Sequence, residues 1–148
     1  MMAYKKILVA VDFSSAAAPV LQRAVEQAAL SQASLTVLNV VEYLPPLDFT
    51  GDPITITSID IDENLLLENA ERSLQRFVDE NLKGETVTQL VCSGLPKLEI
   101  QRVIEEQRMD LLVIGSHGRH GLARLLGSTA SSVLNDCPCD VLAVRVKA

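Results

Sequence analysis

Tryptophan is missing from this chain and aromatic residues amount to only 3% of it, while hydrophobic residues of all kinds reach 48%. The interior must therefore be filled by Leu, Val, Ile and Ala, which suits a parallel sheet covered by helices better than a sandwich. A surplus of positive charge is also lacking. With 13 basic against 19 acidic residues the formal charge is −6, which argues against a nucleic-acid surface. No apolar run reaches membrane-spanning length, and the opening Met1-Met2-Ala3-Tyr4-Lys5-Lys6 runs directly into a short strand without a signal-peptide pattern. The expectation is a cytoplasmic protein with no membrane insertion. Cysteine is scarce and odd in number, at Cys92, Cys137 and Cys139, so no disulfide framework is indicated. Cys137-Pro138-Cys139 is not a C-x-x-C pair and no second Cys/His cluster accompanies it. Both thiols read as buried apolar filler rather than as a metal or redox site. At 148 residues the chain fits a single domain, 1–148, long enough to close a hydrophobic core.

What is present in concentration is glycine between Gly115 and Leu134 (GSHGRHGLARLLGSTASSVL). Four of the chain's 7 glycines, Gly115, Gly118, Gly121 and Gly127, fall within thirteen positions there. The stretch follows Leu111-Leu112-Val113-Ile114, a run too short for a helix and apolar enough for a buried strand. It ends on Gly127-Ser128-Thr129, which reads as the start of a helix over about Ser128 to Asn135. Strand, glycine-rich loop and helix N-terminus together form an anion-binding arrangement, because free backbone N–H groups and the helix dipole favour negative charge. Arg119 and Arg124 add fixed positive charge to the same loop. On these residues alone, a phosphate cradle and a simple change of chain direction both stand.

The remaining elements alternate. Lys6 to Val11 (KILVAV) predicts a first strand, broken by Asp12-Phe13-Ser14-Ser15. Asp12 reads either as a helix cap or as a ligand contact at the carboxyl edge of a sheet. A helix follows with Val20, Leu21, Ala24, Val25 and Ala28 inward, and Pro19 is tolerated in its first turn. Ser34 to Val41 predicts the second strand. From Glu42 to about Ile59 the periodicity fails, and a loop this long is a flap, a partner surface or an insertion. Asp62 to Leu82 predicts a helix with Leu66, Ala70, Leu74, Phe77 and Val78 on one face, ended by Lys83-Gly84. Thr86 to Val91 predicts a more polar edge strand, and Ser93-Gly94-Leu95-Pro96 a turn opening a helix with Ile100, Val103 and Ile104 inward. Asp140 to Val146 predicts the last strand. The order β-α-β-α-β-α-β-α-β predicts one open five-stranded parallel sheet with helices on both faces. In the order 3-2-1-4-5 its switch point lies between strands 1 and 4, which end in Asp12 and in the glycine loop.

The opening KILVAVDFS, Gly94-Leu95-Pro96, MDLLVIGSHGR, LLGSTASSVL and the closing CPCDVLAVRV together resemble the universal stress protein family over nearly the whole chain. The resemblance implies an open α/β sheet of the adenine nucleotide alpha hydrolase-like kind, usually in a homodimer. The family's ATP-binding branch is marked by Gly, two residues, Gly, nine residues, then Gly and Ser or Thr. Here Gly115, Gly118 and Gly127-Ser128 match, but only eight residues, Arg119 to Leu126, separate Gly118 from Gly127. The alternative is the branch that lost these glycines and binds no ATP. Carried over by position, the pattern puts Ala10, Val11, Asp12 and Val40 around adenine and ribose. Ile114, Gly115 and His117 line the middle of the site, while Gly118, Arg119, Gly127, Ser128 and Thr129 hold the phosphates. Ala10 stands where many ATP-binding relatives have proline. Magnesium or manganese is expected to accompany the nucleotide.

Catalysis is not expected beyond slow ATP hydrolysis or autophosphorylation. No Walker motif exists, so this is not a P-loop enzyme. The histidines, His117 and His120, both lie in the glycine loop, where no carboxylate pair or base–nucleophile pair stands beside them. The leading expectation is a nucleotide-dependent sensor with an unidentified signalling partner. The second is a nucleotide-free interaction protein acting through its dimer surface. Homodimerisation is expected through the last strand, with Val141, Leu142, Val144 and Val146, if that strand is the sheet edge.

Overall fold

Alternation along KILVA sends Ile7 and Val9 to one face of a strand and Leu8 and Ala10 to the other, and both pairs are apolar. Such a strand is stable only with both faces covered, which places it in the middle of the protein. In the computed structural model, which describes residues 3–42, 63–84, 86–116 and 137–146, that is where it lies. The elements are β1 (Lys6–Ala10), α1 (Ala17–Ser31), β2 (Ser34–Glu42), α2 (Glu63–Asn81), β3 (Thr88–Gly94), α3 (Pro96–Gln107), β4 (Leu111–Gly115) and β5 (Asp140–Val144). The five strands form one parallel sheet, as the alternation predicts, and they stand in the expected order β3-β2-β1-β4-β5.

The two faces carry separate aliphatic cores. Ile7, Val9 and Val11 pack with Leu35, Val37, Leu111 and Val113 against α1 and α2, through Leu21, Ala24, Leu74 and Val78. Leu8, Ala10, Leu38, Val40, Leu112 and Ile114 pack against α3, through Ile100, Val103 and Ile104. The crossovers before and after β2 therefore run over one face, and the one between β3 and β4 over the other. That change of face puts the switch point at the β1–β4 junction.

Local chemistry explains most element ends. Pro19 is the third residue of α1, inside the first turn, where its missing N–H costs nothing. Pro96 opens α3 with Leu95 as its extended N-cap. Gly84, at φ 79°, follows the end of α2 in a left-handed conformation that side chains resist. At the amino ends of the strands, Asp110 accepts the Lys5 and Lys6 backbone N–H groups at 2.8 and 3.1 Å and so staples β1 to the start of β4.

β3 departs from the expected Thr86–Val91. It begins at Thr88 and continues through Ser93 and Gly94, which pair with Val41 and Glu42. β2 is nine residues long, and its backbone groups extend the pairing past the apolar residues of β3. The expected turn at Ser93-Gly94-Leu95-Pro96 thus shrinks to Leu95. β3 and β5 are the sheet edges, and both are only partly buried. The expected loop, apart from Glu42 at the end of β2, the glycine-rich stretch from His117 on, and the helix near Ser128 to Asn135 lie outside the described residues. Among the described residues no helix is long and apolar enough to cross a membrane.

Candidate functional site at the carboxyl ends of the strands

Where β1 ends, the chain is held rather than released. The Val11 N–H donates to the Leu38 carbonyl at 2.9 Å, and the Val11 carbonyl accepts the Asn39 Nδ2–H at 2.8 Å. Asn39 is 6% exposed and is the buried polar side chain among the described residues. An amide so deep needs a partner, and it finds one at the strand exit. The next residue, Asp12, accepts the Ser14 N–H on Oδ1 at 3.0 Å, a tight turn stabilised by the carboxylate. Between them Phe13 sits at φ 64°, a conformation uncommon outside glycine, asparagine and aspartate. Its ring meets Phe77 of α2 edge to face at 6.0 Å, which favours keeping the residue there. Since α1 begins only at Ala17, Asp12 is not its N-cap.

This turn forms one wall of a cavity of about 260 Å³ lined by Asp12, Phe13, Asn39, Val40, Val41, Glu42, Leu66 and Ala70. Five of its eight lining residues are apolar, and the other three are an amide and two carboxylates, so polar and apolar surface share the walls. Such a mixture can both bury the face of a small molecule and orient its polar groups. The size is slightly below the roughly 300–1,000 Å³ of typical ligand pockets, enough for a base and part of a sugar but not for a whole nucleoside triphosphate.

The other side of the junction is β4. Ile114 and Gly115 end it, buried, with Gly115 paired to Val144 of β5. Ser116 then continues the ladder: its N–H donates to the Val144 carbonyl at 2.8 Å, and its Oγ accepts the Val146 N–H at 3.1 Å. The chain thus leaves β4 along a fixed line immediately before the glycine-rich stretch.

Of the residues expected to form a site, Ala10, Val11, Asp12, Val40, Ile114 and Gly115 converge on the carboxyl ends of three adjacent strands. Asp12 and Val40 line the cavity. The side chains of Ala10, Val11 and Ile114 are core, at most 3% exposed, so only their backbone can meet a ligand. His117, Gly118, Arg119, Gly127, Ser128 and Thr129 lie outside the described residues. Sequence reasoning passed over Asn39 and Ser116, the two side chains that brace the strand exits. An amide inside the run LTVLNVV, whose other residues apart from Thr36 are aliphatic, was the available signal for Asn39. A lone serine after a strand gives no such signal.

The cysteines differ from expectation. Cys137 and Cys139 are half-buried, not fully buried, and their sulfurs lie 4.0 Å apart in hydrogen-bond contact. They stand in the bend that precedes β5, where the sheet edge leaves one side open. Cys92, also half-buried, has its thiol pushed up to about 11, chiefly by burial and then by the neighbouring Glu99 carboxylate, so it stays protonated at neutral pH.

Comparison with known proteins agrees with this architecture. The chain matches the universal stress protein family over residues 3–145. Universal stress protein A homolog 1 of Coxiella burnetii is 38% identical over 148 residues, covering 99% of each chain. Among solved structures, universal stress protein UspA from Lactobacillus plantarum is 29% identical with a TM-score of 0.65, covering 98% of this chain and 100% of that one. The universal stress protein from Archaeoglobus fulgidus in complex with dAMP is 26% identical with a TM-score of 0.61, covering 97% and 99%. With its length spanned by the family and by these relatives, the chain belongs to the universal stress protein family.

Proposed function

We propose that this protein is a cytoplasmic stress-response protein that binds ATP or another adenine nucleotide at the carboxyl ends of β1 and β4 and signals through a homodimer. The observation that carries the reading is the cavity at the carboxyl ends of β1 and β2, where Asp12, Asn39 and Val40 meet next to the strand whose other neighbour is β4. Its apolar part, with Val40, Val41 and Leu66, suits a purine face, and a carboxylate at its rim suits ribose hydroxyls, which are donors. A triphosphate is too long for it, so in this reading the phosphates lie outside the cavity, toward the glycine-rich residues that follow β4 in the sequence. The dAMP complex of the Archaeoglobus fulgidus relative supports an adenine nucleotide as the class of ligand.

Among the described residues no group of three or more His, Cys, Asp or Glu side chains could hold a metal ion. Asp12 and Glu42 are the carboxylates of the cavity. One or two carboxylates completed by ligand phosphates is an ordinary set for magnesium, so magnesium or manganese fits as a companion of the nucleotide. The ion would neutralise phosphate charge. Turnover would be slow hydrolysis or autophosphorylation at most.

The test is direct. Freshly purified protein is denatured and filtered, and the supernatant is resolved by chromatography and mass spectrometry. Near-stoichiometric adenine nucleotide is expected. An empty supernatant together with no binding of added Mg-ATP would instead favour a nucleotide-free interaction protein.

In this reading the homodimer forms along the edge of β5 that faces away from β4. Val144 and Val146 are 8% and 7% exposed and belong to this chain's own core, so neither side chain is free for a twin. The Val144 carbonyl is also bonded to Ser116, and proline at that position would tear the β4–β5 ladder. Backbone groups alternate sides along a parallel strand, so those of Ala143 and Arg145, which are exposed, face the free edge. Ala143→Pro is expected to convert a dimer to a monomer by light scattering while leaving the circular dichroism spectrum intact. A dimeric mass for that variant would remove this edge as the interface.

A further inference from the structure

Phe13 occupies a place in the turn after β1 that its own chemistry does not favour. At φ 64° its backbone is left-handed, a region that a bulky side chain resists and that glycine, asparagine or aspartate enters more readily. Two hydrogen bonds fix the residues on either side of it. The Val11 carbonyl accepts the Asn39 Nδ2–H at 2.8 Å, and the Ser14 N–H donates to Asp12 Oδ1 at 3.0 Å. The strand exit is thus overdetermined, which is how an unfavourable conformation persists. These bonds explain how the turn tolerates a phenylalanine, not why it has one. Burial does not explain it either, since the side chain is 37% exposed.

What the position gives the residue is a place in the wall of the cavity at the carboxyl ends of β1 and β2. Of the eight residues lining that cavity, Phe13 is the one aromatic; its other apolar members, Val40, Val41, Leu66 and Ala70, are aliphatic. Phe77 of α2, which does not line the cavity, meets the Phe13 ring at 6.0 Å with the two planes 69° apart. In such an edge-to-face pair, whichever ring gives its edge, Phe77 covers at most one face of Phe13. A propped ring with a free face and exposed surface is suited to a flat partner.

We propose that Phe13 is the base-selecting residue of this cavity: its ring, propped by Phe77, stacks on the base of the nucleotide and favours purines over pyrimidines. The inference rests on the adenine-nucleotide reading above and adds to it what chooses the base. Stacking draws on the π-face and on the area of overlap, so a fused two-ring base gains more than a single ring, while adenine and guanine gain alike. Asp12 and Glu42 do not make that choice. Carboxylates accept hydrogen bonds from hydroxyl and amino groups, which adenine and cytosine nucleotides both carry. Phe77 is a positioning residue, acting only through the Phe13 ring.

The test is calorimetric titration of the full-length protein with Mg-ATP and with Mg-CTP. The wild type is expected to bind ATP several-fold more tightly than CTP. Phe13→Leu is expected to weaken ATP binding about tenfold, within the range for losing one base–aromatic stack, and to bring the ATP-to-CTP ratio toward one. Phe13→Tyr keeps the ring and should keep both the affinity and the ratio. Phe13→Gly separates ring from backbone. Glycine suits φ 64° better than phenylalanine does, so the turn and the fold survive, yet ATP affinity should fall as it does in Phe13→Leu. Phe77→Leu should weaken ATP binding by less, and added to Phe13→Leu it should cost nothing further, since both changes act through one ring. A Phe13→Gly variant that binds ATP like the wild type would assign the effect to the backbone and overturn the proposal, as would a ratio unmoved by Phe13→Leu. A wild type that bound neither nucleotide would remove the nucleotide reading itself, and this inference with it.

Discussion

Leu38→Ala is expected to lower the unfolding free energy by about 2–5 kcal/mol, the range for emptying a buried leucine site. Leu38 is 0% exposed, and its side chain belongs to the cluster under α3, beside Leu8, Ala10 and Ile104. Its backbone is committed on both sides, paired with Ala10 of β1 and Leu90 of β3. The surrounding strands therefore cannot collapse into the space, and the upper half of the range is the expectation. Total stability of a domain this size is about 5–15 kcal/mol, so the loss is a large fraction of the whole. Urea denaturation should show a lower midpoint with an unchanged slope. Leu98→Ala, on the same side of the sheet but 56% exposed, should change stability by no more than about 0.5 kcal/mol. If the two variants lost the same amount, the α3 face would not be the close-packed core described above.

That core was legible because it rests on short-range pattern. LVIG preceded by Leu111, and SLTVLNVV, are apolar on both faces, which only a buried parallel strand requires. The open parallel sheet followed from alternation and crossover handedness, which depend on backbone geometry rather than on particular side chains, although alternation alone does not fix the strand order. Legibility ended where backbone pairing overrides side-chain character. Ser93 and Gly94 look like a turn, yet they are strand because β2 offers them partners. Gly94 at φ 139° tolerates its position with Glu99 only 3.0 Å from where a Cβ would stand. Cys137 and Cys139 were read by spacing alone and set down as filler. What spacing does not encode is that the bend before β5 turns both thiols toward each other at a sheet edge. The site divides in the same way. Asp12 was singled out because it follows a strand and Val40 through the family pattern, whereas Asn39 was passed over because its bond is to a residue 28 positions earlier.

Asn39 is therefore where fold and function can be separated. Asn39→Leu keeps the approximate shape but deprives the Val11 carbonyl of its donor, and an unsatisfied buried acceptor costs about 1–3 kcal/mol. The added apolar contact offsets part of that loss, so the net effect on stability should fall at the low end. The effect on ligand affinity should be larger in proportion. The lost bond anchors the residue just before Asp12, and Phe13 at φ 64° depends on that exit being held. On the proposed adenine-nucleotide reading, a weakening of binding by tenfold or more, about 1.4 kcal/mol, is expected by calorimetry. Asn39→Asp sharpens the test, because an ionised carboxylate cannot donate to the Val11 carbonyl whereas a protonated one can. Burial beside a carbonyl holds the new carboxyl's folded pKa above its unfolded value. Whatever stability its protonated form contributes is then present below the unfolded pKa and is lost as pH rises through the folded one. Nucleotide binding by Asn39→Asp should weaken over the same rise in pH, while Asn39→Leu shows no such dependence. Should Asn39→Leu lose stability yet bind nucleotide like the wild type, the amide would be a core bond alone, and the precision of the Asp12 turn would have to come from Phe13 stacking on Phe77.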